Sequence, residues 1–125
     1  MQWTRIAAWI LFLGVAIGAF GAHGLEDRIP ADRLDTFETG VKYHFYHGLG
    51  LLLLGAIGDR LAARRVRLVG MLFVGGIAIF SGTLYALAIT GIGWLGAITP
   101  IGGLSFLAGW VALATAPSSE AARQA

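Results

Sequence analysis

Three histidines and no cysteine set the chemistry open to this chain. His23 lies in Gly18-Ala19-Phe20-Gly21-Ala22-His23-Gly24-Leu25, which closes an apolar run. His44 and His47 lie in Thr39-Gly40-Val41-Lys42-Tyr43-His44-Phe45-Tyr46-His47-Gly48, which opens the next one. His44 and His47 share a helix face at i and i+3, and Tyr43 lies one turn from His47. Three convergent imidazoles would be a ligand set for zinc or copper, or a proton-accepting cluster that charges near neutral pH. They could also head a polar-topped pocket for a lipid, quinone or small amphiphile, with Tyr85, Ser81 and Thr99 beside them. The plainer use is that each ring bonds a nearby backbone carbonyl or a headgroup. The sequence requires no cofactor, and the absence of cysteine excludes disulfides and thiol catalysis.

The elements that must position these residues are apolar. Of 125 residues, 57% are hydrophobic and 13% charged, against about 25% charged in a soluble domain. So short a soluble chain has too little interior to hide that surface, so the solvent for most of it is lipid. The pattern predicts a single all-α membrane domain over 1–125, a bundle of four transmembrane helices spanning about 6–25, 41–58, 68–89 and 94–116. Twenty apolar residues rise roughly 30 Å, the hydrocarbon thickness of a bilayer. A signal peptide cleaved near Ala19-Phe20-Gly21 is the rival reading of the first run, which is long for that role. Between the first two spans, Leu34, Phe37 and Val41 follow a helical period after Pro30, the pattern of a short amphipathic helix on the membrane surface that runs into the second span; the alternative is a solvated loop. Residues 117–125 read as a frayed polar tail outside the bundle.

Arg60, Arg64, Arg65 and Arg67 crowd the loop between the second and third spans. With Arg5 and Arg123 they outnumber Arg28, Arg33 and Lys42 on the opposite side, so the positive-inside bias puts both termini in the cytoplasm of a bacterial inner membrane. On that topology all three histidines, with Ser81, Thr83, Tyr85 and Thr99, fall in the outer half. Packing between lipid-embedded helices needs close backbone contact. Small residues at four- and seven-residue spacings offer it: Gly14, Gly18 and Ala22; Gly48 and Gly55; Ala78, Gly82 and Ala86; Ser105 and Gly109.

No Asp or Glu lies inside a span, so the buried carboxylate on which small proton-coupled multidrug exporters depend is missing. A Ser/His/acid site cannot be assembled from acids confined to loops, and no phosphate loop or dinucleotide fingerprint follows a strand. No enzyme is expected. The net charge of +2 gives no reason to expect nucleic acid.

Four blocks carry a resemblance: Gly18 to Leu25, the Thr39-Gly-Val-Lys-Tyr-His segment with His47, Phe80-Ser-Gly-Thr-Leu-Tyr85, and Trp94-Leu-Gly-Ala-Ile-Thr-Pro-Ile-Gly-Gly103. Together they resemble the family called domain of unknown function 423, which is similar to the eukaryotic transmembrane protein 256 group. The resemblance implies a small four-helix protein of the bacterial inner membrane and implies no activity. The expectation is a non-catalytic accessory or stabilising subunit whose partners are the lipid bilayer and further copies or other membrane subunits. The alternative is a transport or ligand-binding protein that uses the histidines.

Overall fold

A computed structural model describes residues 2–125. Apart from one isolated bridge, all regular structure among them is helical. The helices are α1 (Gln2–Leu25), α2 (Ala31–Ile57), α3 (Ala63–Thr90), α4 (Gly93–Ala114) and the short α5 (Ser119–Gln124). Three of them, α1, α3 and α4, are long and apolar enough to cross a membrane. The fourth long helix, α2, has 27 residues. It carries Asp32, Arg33, Asp35, Glu38 and Lys42 in its first half and two tyrosines and two histidines near its middle, which lower its hydropathy.

Facing residues set the registers. Along α1 and α2, Gly55 meets Thr4, Gly48 meets Leu11, Gly14 meets His44, Gly18 meets Val41 and Gly21 meets Phe37. Positions rise on one helix as they fall on the other, so the pair is antiparallel. The same holds for α3 and α4, where Gly109 packs on Phe73, Gly76 on Phe106 and Gly102 on the backbone of Phe80. α2 and α3 form the centre; α1 packs on α2, and α4 on α3. The core along this centre includes Leu51, Leu54, Val69, Phe73 and Phe106. The outside is apolar too: Trp9, Phe12, Val15, Leu53, Met71 and Leu104 are each more than half exposed. An apolar core inside an apolar surface is the signature of a helical membrane protein, whose outer side chains face lipid.

Several boundaries differ from the sequence reading. Residues 31–57 form one unbroken helix starting after Pro30, so the amphipathic segment and the run from Val41 are continuous, because nothing between Val41 and Tyr43 interrupts the backbone ladder. α3 begins at Ala63, inside the arginine stretch, since arginine is a good helix former. α4 starts with a 3-10 turn over Gly93–Ala97, and Pro100 falls in the first turn of its α-helical part, where a missing N–H costs least. Gly91, at φ 73°, provides the left-handed residue that ends α3.

The tail is not frayed. Leu61 and Ser118 pair in the isolated bridge, Ala62 N–H donates to the Pro117 carbonyl at 2.9 Å, and Ser118 caps α5.

α3 also contains a π-helical turn at Ile77–Ser81. The wide turn changes the phase of the helix, so the Ala78, Gly82, Ala86 row does not form a contact face. Ala78 is exposed, and a methyl group on Gly82 would meet nothing within 4 Å. Gly70, against the Trp3 ring, and Gly76, against Phe106, make the close approaches instead.

Candidate functional site

The two histidines of α2 sit near mid-length of the bundle, opposite Gly14 in α1 and Phe106 in α4. This is deeper than the outer half expected from sequence. Both are buried, at 4% exposure each.

His44 faces α1 and α3. Its Nε2 lies 2.7 Å from the Ile10 carbonyl and its Nδ1 lies 2.9 Å from the Tyr85 hydroxyl. A carbonyl can only accept, so Nε2 carries the proton and Nδ1 accepts from Tyr85. Gly14 permits the approach, since a Cβ there would stand 3.2 Å from the His44 ring. In α1 a glycine that the sequence offers for helix contact therefore also opens the space for an imidazole.

His47 uses the opposite tautomer. Its Nδ1–H donates to the Tyr43 carbonyl at 2.9 Å, and its Nε2 accepts the indole N–H of Trp110 at 2.9 Å. The ring lies nearly parallel to Phe106, with centroids 3.5 Å apart and planes 8° apart, and Phe73 meets it edge-on. Tyr43 and Phe80 extend the aromatic cluster.

Both imidazoles therefore have every ring nitrogen engaged inside the protein. Neither has a lone pair free for a metal unless an interhelical bond breaks.

His23 does not join them. It is exposed, and it lies about 13 residues, roughly 20 Å of helical rise, along α1 from the Ile10 level where His44 sits. The expected convergence of three imidazoles is thus absent, because the turn after Leu25 leaves His23 at the helix end while His44 is half a helix away. Among the described residues, no group of three or more His, Cys, Asp or Glu is placed to hold a metal ion.

The remaining polar candidates are paired locally. Ser81 donates to the Gly40 carbonyl of α2 at 2.7 Å from the last residue of the π turn. Thr83 donates to the Ile79 carbonyl at 2.6 Å and lies 2.7 Å from the Thr99 hydroxyl, joining α3 to the start of α4. Ser105 donates to the Leu72 carbonyl at 2.7 Å. Among the described residues, no buried side-chain nitrogen or oxygen lacks a partner.

Beside His47 a groove of about 570 Å³ opens between α2 and α4. Tyr43, His47, Phe80 and Trp110 line its aromatic side, and Pro100, Gly103, Leu104 and Leu107 form the face contributed by α4. Of the seven candidate ligand-binding residues, only Tyr43 and His47 reach this groove.

Trp110 and Phe106 are neighbours of His47 that the sequence reading did not assign to the site. The available signal was chemical: an indole N–H in an uncharged helix needs an acceptor, and imidazole nitrogens are among the few side-chain acceptors in these helices.

The model for "Protein of unknown function (DUF423)" matches residues 17–103. The UPF0382 membrane protein YwdK of Bacillus subtilis is 48% identical over 105 residues, covering 83% of this chain and 85% of the relative. A UPF0382 membrane protein of Staphylococcus haemolyticus is 46% identical, covering 86% of this chain and 88% of the relative. One from Staphylococcus saprophyticus is 50% identical, covering 81% and 83%. No solved structure matches.

Proposed function

The chain belongs to the DUF423 family of proteins of unknown function, and from that premise we propose a four-span protein of the bacterial cell membrane that acts without catalysis. In this reading α2 is the fourth span, both termini lie in the cytoplasm, and the protein is an accessory or stabilising subunit that binds another membrane subunit.

One observation carries it: among the described residues every buried polar side chain has a partner inside the protein, while an apolar, aromatic groove stands open beside them. Chemistry on a substrate needs a polar group left over. Association with a partner helix needs an apolar face with a close-approach point, and Gly103 supplies one in the groove. The lower hydropathy of α2 fits its central place, where α1, α3 and α4 cover His44 and His47.

Gly103→Leu tests the reading, because its Cβ would meet Phe80 only at ordinary distance, 3.8 Å, while the side chain fills the groove. In mild detergent, the wild-type chain is expected to co-purify in a complex larger than the monomer, and the variant to lose its partner while staying folded. A wild-type chain that stays monomeric and partnerless, even when cross-linked in native membranes, sinks the proposal.

The second reading, a small-molecule site for a lipid or quinone, is favoured by Tyr43 and His47 in the groove wall. It predicts that extraction of the purified protein yields a stoichiometric amphiphile that Gly103→Leu removes.

A further inference from the structure

At the opposite end of the molecule from the α3–α4 turn, the arginine loop, the start of α3 and the tail enclose a recess of about 430 Å³. Arg64, Arg65, Ala62, Leu68 and Pro117 line it. We propose that this recess holds the phosphate headgroup of an anionic glycerophospholipid.

The first reason is charge. Two adjacent arginines line one cavity with no carboxylate among its lining residues; Asp59 lines the neighbouring recess, which Arg64 borders as well. Arginine suits a phosphate better than lysine does, because its planar fork presents paired N–H donors to two oxygens.

The second is depth. Leu68 begins a stretch without a charged residue that runs through Ile89, so the recess straddles the level where charged headgroups give way to acyl chains. Leu68 and Pro117 give it an apolar side for the glycerol and first methylenes, which a free phosphate would not use.

The third is rigidity. Arg65 Nη1 donates to the Ala112 carbonyl at 3.0 Å and to the Thr115 hydroxyl at 2.7 Å, pinning the side chain across the C-terminal end of α4. Those bonds occupy one nitrogen, and guanidinium has five N–H donors in all. The Pro117 wall is held by its bond from Ala62 N–H and by the Leu61–Ser118 bridge. The tail is thereby part of the recess, and Arg65 and the Pro117 wall are already held before any lipid arrives.

Arg64 is the residue to change, since it is exposed while Arg65 also holds α4. The full-length protein is reconstituted in nanodiscs of mixed phosphatidylcholine and phosphatidylglycerol, transferred to detergent, and weighed by native mass spectrometry. Phosphatidylglycerol is expected to remain bound in preference to phosphatidylcholine. Arg64→Gln is expected to lower that retention about fivefold, the ratio that one basic residue's attraction to an anionic headgroup gives. Arg60→Gln and Arg67→Gln remove the same charge outside the recess and should leave retention unchanged. Equal retention of both lipids, no effect of Arg64→Gln, or the same loss with Arg60→Gln would each overturn the assignment; the last would reduce the arginines to a bulk-charge topology signal. The result does not depend on the α2–α4 groove, which lies elsewhere on the molecule.

Discussion

His44 and His47 are three residues apart yet serve different neighbours in different tautomers, one tied to α1 and α3 and the other to α4. Each ties α2 to other helices by hydrogen bonds, which is how a largely apolar bundle can still specify which helix sits where. Trp110→Phe removes the indole N–H together with part of the ring that packs on Phe73. Unfolding in mixed micelles should show a loss above about 0.6 kcal/mol, the average measured for interhelical hydrogen bonds in a membrane protein, because lost packing adds to the lost bond. His47→Phe should cost less in the Trp110→Phe background than alone, because their shared bond is already gone. At this scale the sequence showed which residue types mattered and that His44 and His47 share a helix. It could not show their partners, because Ile10 contributes a backbone carbonyl, which has no sequence signature, and Tyr85 and Trp110 are brought in by tertiary packing. For His23 the i, i+3 logic stops at the end of α1, and proximity along a loop did not become proximity in space.

Whole helices were the most legible feature. Long apolar runs must be helical in lipid whatever their glycine content, so α1, α3 and α4 follow from length and composition. What escaped was phase. A π turn leaves no mark in hydropathy, so the small-residue row of α3 was assigned to the wrong face. The glycines now divide into two kinds with opposite expectations. Gly102→Ala would drive a methyl group into the Phe80 backbone, which cannot move aside as a side-chain tip can, and thermal unfolding should register a loss of about 1–3 kcal/mol. Gly82→Ala meets open space in a helix interior and should be neutral or stabilising by up to about 1 kcal/mol. If the two behaved alike, the register of α3 on α4 would be wrong.

For the molecule as a whole, the proposed sidedness rests on arginine counting and is directly measurable, because the chain has no cysteine of its own. Single cysteines at Glu26→Cys and Ser119→Cys should react with a membrane-impermeant maleimide from opposite faces of sealed vesicles, with Ser119→Cys on the cytoplasmic face. Labelling from the same face would remove one of the four proposed spans. The mid-length position of the imidazoles has a consequence for biogenesis. As α2 leaves the ribosome, its rings have α1 at hand but neither Tyr85 nor Trp110, and its own hydropathy is the weakest of the four long helices. It should therefore enter the bilayer provisionally and commit only when the last hairpin has been synthesised. A nascent chain truncated before Trp110 would leave α2 partly unintegrated, and glycosylation mapping of arrested chains would reveal late, all-together insertion of a segment that precedes the final helix by half the polypeptide.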